Sequence, residues 1–171
     1  FRQLQIQVTG FGSWRRNETR RISNFIVSEY ELSYLQKGRL RIDAGNQQFI
    51  CGDGTIFLFE PFVPYSVEKL YDDNMDLYNV FFDFSAGYLP ENFLPRILLP
   101  GQPLWRKKDL PDLDSLFSDV FSLCQENSQG KQVMVSSLLN LCLMYMARAR
   151  LRYGPANIPD SPGTDYAHKN L

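Results

Sequence analysis

Through the first half of the chain, polar and apolar residues alternate in short bursts. Gln3 to Thr9 (QLQIQVT) and Arg39 to Asp43 (RLRID) follow a period of two, and Phe25 to Val27 and Tyr30 to Leu35 are short β-rich runs. Gln47 to Cys51, Thr55 to Phe59, Ser66 to Leu70 and Asp76 to Phe84 continue the series. A period of two sends successive side chains to opposite faces of a strand. Turn chemistry separates the bursts: Ala44-Gly45-Asn46, Gly52-Asp53-Gly54, the corner Glu60-Pro61-Phe62-Val63-Pro64, and Asp72-Asp73-Asn74. Glycine accepts positive φ at no steric cost, and proline cannot donate to an interior ladder. Many short strands at near-regular spacing predict a sandwich or barrel rather than a parallel α/β sheet.

The period changes in the second half. Leu113, Leu116, Phe117, Val120, Phe121 and Cys124 fall on one face of a helix. Asp109 or Asp112 is placed to cap it, Pro111 suits its first turn, and Asn127 to Gly130 breaks it. A second helix runs from about Lys131 to Tyr153 and stops at Gly154-Pro155. Between Leu138 and Met146 only Asn140 is polar. Leu138, Leu141, Cys142 and Tyr145 form one face, and Leu139, Leu143 and Met146 a neighbouring one. A helix apolar over most of its circumference needs cover on two sides. We assign Leu139, Leu143 and Met146 to contact with a second copy of the chain. The alternative is that the first helix and the sheet cover both faces between them.

Composition then removes whole classes of function. The chain has 171 residues, 44% hydrophobic and 14% aromatic, enough for a sizeable core. Its net charge of −1 and pI near 5.9 lack the basic footprint of a nucleic-acid-binding domain. Cys51, Cys124 and Cys142 are odd in number and far apart, which argues against a disulfide framework and for a reducing, cytoplasmic setting. The most apolar stretch, Leu138 to Met146, is short of the roughly 20 residues a membrane span needs. No signal-peptide pattern opens the chain, which starts on Phe1 rather than Met and stops in loop-like sequence, so a domain of a longer protein is expected.

The one histidine, His168, lies in the tail. A metal-dependent centre in a β-container needs two or three histidines with a carboxylate, so no metal and no cofactor are expected. A Ser-His-Asp or Cys-His nucleophile and His-based acid–base chemistry fail on the same count. What remains for catalysis is a pair of carboxylates drawn from Asp53, Glu60 and Asp83. Asp53 sits in a tight turn, where Asp side chains bond local backbone. Gly52-Asp53-Gly54 also lacks the lysine and following helix of a phosphate-binding loop. The chain is therefore expected not to be an enzyme, with a metal-free enzyme or binding protein for a sugar-like ligand as the rival.

The stretches Tyr30 to Asp43 (YELSYLQKGRLRID) and Phe49 to Tyr65 (FICGDGTIFLFEPFVPY) resemble the sensor domain of AraC-type transcription regulators. The shared series is an apolar strand ending at Gly38, a hairpin, Gly52-Asp53, the apolar strand Ile56 to Phe59, a corner with Pro61 and Pro64, and the aromatic closing strand Leu77 to Phe84. The resemblance spans about residues 5–153. It implies a mainly β fold with C-terminal helices: a double-stranded β-helix (cupin or jelly roll) followed by two antiparallel helices. On that reading, residues 1–110 form a cupin-like effector-binding domain, 111–153 a helical dimerisation region, and 154–171 a linker toward a helix-turn-helix DNA-binding domain that this chain does not contain. The implied partners are a small-molecule effector, which a sugar would suit, and a second copy of the chain. The chain departs from the family at the Pro-rich corner, where many members carry His and this sequence has Tyr65.

Candidate ligand-binding residues follow. On the closing strand Asn79, Phe81 and Asp83 share one face, and Tyr78, Val80, Phe82 and Phe84 the other. The second set suits contact with the helices. The first mixes an aromatic plate with hydrogen-bonding groups, suited either to a small polar ligand or to a satisfied core. Asn79 and Phe81 fall where the resemblance places ligand contacts, and so does Arg20 or Arg21, from the cluster Arg15, Arg16, Arg20 and Arg21. A guanidinium fork suits carboxylate, phosphate or vicinal hydroxyls, although charged residues also protect a strand edge. Trp14 serves equally as a stacking lid or as a surface-anchored core residue, and the Tyr65 hydroxyl is expected to point into the mouth of the cup.

Overall fold

The structure is a computed structural model, and it describes residues 6–15, 21–70, 75–84, 104–106, 110 and 113–153. Nine strands and two helices make up these residues. The strands are β1 (Ile6–Arg15), β2 (Arg21–Phe25), β3 (Tyr30–Lys37), β4 (Leu40–Ala44), β5 (Gln47–Cys51), β6 (Thr55–Phe59), β7 (Tyr65–Lys69), β8 (Asp76–Phe84) and β9 (Leu104–Arg106). The helices are α1 (Leu113–Gln125) and α2 (Lys131–Tyr153).

Every strand pairing is antiparallel. One sheet has the order β1-β8-β3-β6-β9 and the other β2-β7-β4-β5, so from β1 to β8 the chain changes sheet at every step except the β4–β5 hairpin, as in a jelly roll. The helical hairpin covers the outer face of the five-stranded sheet, which leaves that sheet buried on both sides. Burial therefore runs without alternation along β3 and β6. All five residues of β6 (TIFLF) are buried, and five successive residues of β3 are too.

Two cores result. Leu32, Tyr34, Ile56, Leu58, Val80 and Phe82 point outward from the large sheet and meet Phe117, Val120, Leu139 and Leu143 of the helices. Tyr78 and Phe84 pack against the same core, as the alternation along the closing strand predicts. Leu35, Leu40, Ile42, Phe57, Val67 and Leu77 fill the space between the two sheets. Gly38 closes β3 with φ of 116° in van der Waals contact with Met75, a conformation and a fit that exclude a side chain. Its N–H donates to Asp53 Oδ1 at 2.7 Å, which gives that carboxylate a structural task.

Several expectations need correction. The first strand extends to Arg15, with a register shift between Val8 and Gly10 that absorbs the break in alternation. The second strand is Arg21–Phe25, ahead of the run Phe25 to Val27, because pairing with β7 decides it. The short edge strand β9 carries no strong periodicity and was not anticipated. On α2, Leu139, Leu143 and Met146, assigned to a partner, are buried in the chain's own helix–sheet core together with Cys142 of the neighbouring face, whereas Leu141 and Met144 are 43% and 46% exposed. The helical hairpin and the sheet together cover more of α2 than one stripe. The cap candidates Asp109, Pro111 and Asp112, the turn Asp72-Asp73-Asn74 and the tail 154–171 lie outside the described residues.

Candidate functional site

Strand register lays out the cup wall in rows, because directly opposed residues of antiparallel strands project to the same face. At one end Gly10, Phe81, Glu31 and Phe59 lie side by side across β1, β8, β3 and β6. The next row is Gly12, Asn79, Ser33 and Phe57, and the third is Trp14, Leu77, Leu35 and Thr55. Tyr65, Val67 and Ile42 come from the facing sheet. The third row and the residues beyond it are filled by the chain's own apolar side chains. Apart from Thr55, whose hydroxyl donates to Gly52 O, the polar side-chain chemistry of these rows lies in the first two.

Glu31 is the centre of that chemistry. It is 1% exposed, and its carboxylate accepts three hydrogen bonds. Ser33 Oγ donates to Oε1 at 2.8 Å, Asn79 Nδ2 donates to Oε1 at 2.7 Å, and the Tyr65 hydroxyl donates to Oε2 from across the cup. All three donors are uncharged. Burial raises the Glu31 pKa above the ordinary carboxylate value, and the Tyr65 and Ser33 bonds offset only part of that. Burial and then Glu31 itself push the Tyr65 phenol upward, so Tyr65 keeps its proton and remains the donor. Tyr65 is held in place by stacking on Phe59 (ring centroids 3.9 Å apart, 6° between planes) and by the edge contact of Phe25 at 5.6 Å.

Asn79 is 7% exposed, and its Oδ1 is buried with no hydrogen-bond partner. Glu31 fixes the orientation of the amide, since a flip would turn oxygen toward carboxylate. A buried acceptor left unmade costs about 1–3 kcal/mol, so its persistence calls for an explanation. Beside Asn79 in the register stands Gly12, where an added Cβ would find no atom within 4 Å. Open space therefore lies at the Gly12 position, in the same row of the wall as Asn79.

The same end of the barrel carries an apolar rim. The loop after β2 exposes Ile26 beside the half-exposed Phe25, and the loop after β6 exposes Phe62 and Val63. Phe62 N–H donates to Val27 O at 2.8 Å, which ties the two loops together. Phe62 adopts φ of 62°, a strained conformation for a bulky residue.

The residues singled out from sequence fall in different places. Asn79, Phe81 and Tyr65 come together around Glu31. Trp14 is partly buried against the inter-sheet core in the third row, at the floor. Arg21 is exposed and pairs in register with Glu68, which is ion-paired to Arg41 on the outer face of the small sheet. Arg20 lies outside the described residues. Glu31 and Ser33 were missed, although a charged residue inside the apolar run YELSYL is the signal of a buried, committed carboxylate. Among the described residues no group of three His, Cys, Asp or Glu is placed to hold a metal, and no helix is long and apolar enough to cross a membrane.

A family profile described as the AraC-like ligand binding domain matches residues 11–143. The fold is similar to that of ToxT from Vibrio cholerae, at 13% identity and a TM-score of 0.50 over 92% of this chain and 61% of that one. A second ToxT structure, from strain O395 and bound to (E)-4-(8-methylnaphthalen-1-yl)but-3-enoic acid, gives 13% identity and 0.50 over 87% of this chain and 58% of that one. Part of the chain also resembles a cupin 2 conserved barrel domain protein from Salinispora arenicola, at 16% identity and 0.39 over 47% and 76%. An oxalate decarboxylase from Bacillus subtilis gives 20% and 0.38 over 47% and 22%. The chain therefore spans about three-fifths of ToxT and about a fifth of the decarboxylase. No curated protein matches it.

Proposed function

The chain belongs to the family of AraC-like ligand-binding domains, and from that premise we propose that it is the effector-sensing and dimerising part of a bacterial, cytoplasmic transcription regulator. It binds a small polar molecule, of which sugars are one class, at the Glu31 end of the cup, and it performs no reaction. DNA is contacted by another part of the whole protein. The observation that carries this reading is the buried Asn79 oxygen without a partner beside the open wall at Gly12. A binding site waits for a donor there, whereas Glu31 is too fully engaged to move protons. The acid held by ToxT supports a small-molecule effector in this fold. A melting-temperature screen of sugars, polyols, amines and organic acids tests it: at least one class raises the transition in a concentration-dependent way. A flat response to every class would sink the sensing role.

Strand β1 provides the route from cup to helices. Its inner face carries Gly12, and on its outer face the Phe11 ring lies 4.7 Å from the Lys131 ammonium. Gln132 Nε2 also donates to Val8 O at 3.5 Å. A ligand seated against β1 bears directly on the first turn of α2. To reverse a 1:99 equilibrium it must bind one state about 10⁴-fold more tightly.

The dimer contact falls to the outer face of α2, where Met134, Leu141, Met144 and Leu151 are exposed. Leu141→Glu with Met144→Glu is expected to convert a dimer to a monomer in light scattering, with stability changed by no more than about 0.5 kcal/mol. Leu143→Glu, in the buried face, is expected to unfold the domain. A wild-type monomer at high concentration would remove the dimer from the proposal.

A further inference from the structure

We propose that the pocket at Glu31 and Asn79 selects a ligand carrying a protonated amine and rejects its carboxylate counterpart. The proposal rests on the sensing role above and narrows the class of molecule sensed. Three features agree on the sign of charge. The Glu31 carboxylate is buried and surrounded by the neutral donors Ser33, Tyr65 and Asn79. Hydrogen bonds from neutral groups disperse its charge without cancelling it, and a desolvated negative charge strongly favours a cation nearby. The unsatisfied group next to it, Asn79 Oδ1, is an acceptor, so the ligand must bring an N–H or O–H. Phe59 and Phe81 flank Glu31 in the register and Tyr65 stacks on Phe59, so this end of the cup is rich in aromatic surface, which accommodates ammonium groups better than anions.

Position supports the same assignment. The space at Gly12 lies in the row of Asn79, one row in from Glu31, so a donor seated there is near both groups. The exposed rim of Phe25, Ile26, Phe62 and Val63 stands at the entrance and suits an apolar body trailing the charged head. Among the described residues, Arg21 and Arg41 lie on the outer face of the small sheet with Glu68, away from the cup.

Two matched series separate charge from shape: phenethylamine, 2-phenylethanol and phenylacetate, and glucosamine, glucose and glucuronate. Calorimetry on the whole chain at neutral pH is expected to rank amine above alcohol above acid in at least one series, with about tenfold or more between amine and acid. Glu31→Gln keeps an acceptor and the shape, and is expected to bring the amine down to the alcohol's affinity. Gly12→Val fills the open space without touching the Glu31 bonds, and is expected to abolish binding while the unliganded melting temperature stays unchanged. Tightest binding by an acid, an amine preference that survives Glu31→Gln, or binding unaffected by Gly12→Val overturns the proposal. Silence from all six compounds overturns it too, while the broader melting screen decides the sensing role on its own.

Discussion

Phe117→Ala is expected to lower the stability of the domain by about 3–5 kcal/mol, the range for emptying a fully buried aromatic site. Phe117 lies at the junction of α1 with the large sheet, with under 2% of its surface exposed. Its ring stacks on Tyr34 of β3 at 5.2 Å and lies 6.1 Å from Phe121 one turn along the helix. The loss combines apolar transfer with a cavity that neither a sheet strand nor a packed helix can close, plus about 0.5–1.5 kcal/mol for the aromatic pair. In a domain of this size the melting temperature should fall by roughly 2–4 °C per kcal/mol. Val133→Ala, on the exposed side of α2, is the control and should change little. Circular dichroism melts of both variants decide the matter. A Phe117→Ala domain within 1 kcal/mol of the parent, by the roughly 1 kcal/mol typical of single substitutions, would mean that the helices do not dock on the sheet as described.

The docking surface was legible because it obeys one simple rule. Leu113, Phe117, Val120, Phe121 and Cys124 repeat at helical spacing, and Tyr78, Val80, Phe82 and Phe84 repeat at strand spacing. Each set marks one apolar face, and the two faces meet. The helix α2 escaped that rule. It is apolar around much of its circumference, so periodicity alone does not say which side meets the sheet, and Leu139, Leu143 and Met146 turned out to be the inner set. The edge strand β9 escaped for a different reason: three residues are too few to show a period.

The candidate site was legible only in part. Alternation placed Asn79 and Phe81 on the inner face and the register agrees, but the residue that organises them, Glu31, belongs to another strand. Its meaning depends on Tyr65 arriving from the opposite sheet, 34 positions away in sequence. No local pattern encodes such a meeting. The resemblance and the chemistry of a guanidinium both pointed to Arg20 or Arg21, and β2 pairing sends Arg21 outward beside Glu68. Residue type suggests chemistry, but strand register decides which side of the wall that chemistry faces.

Glu31 yields the second large effect, through two substitutions that separate its bonds from its charge. Glu31→Ala removes the shared acceptor of Ser33, Asn79 and Tyr65, and each donor left without another buried partner costs about 1–3 kcal/mol. That change should be destabilising at every pH. Glu31→Gln keeps an acceptor, and here pH separates the two proteins. The folded-state pKa of Glu31 lies above the ordinary carboxylate value, chiefly because burial penalises the charged form. Below the ordinary carboxylate range the carboxyl is protonated in both folded and unfolded chains, so its contribution to stability is fully present. As pH rises from there through the elevated folded value, the unfolded chain releases its proton first and the folded domain loses stability. The glutamine variant does not titrate in this window. Relative to wild type it should therefore gain stability as pH rises, with the step beginning at the ordinary carboxylate range. Urea unfolding of both proteins at intervals between about pH 4 and pH 8 measures that difference directly. A difference that stays constant with pH would show a carboxylate in an ordinary environment. A slope of opposite sign would show that the hydrogen bonds from Ser33, Asn79 and Tyr65 outweigh the burial penalty on the Glu31 charge.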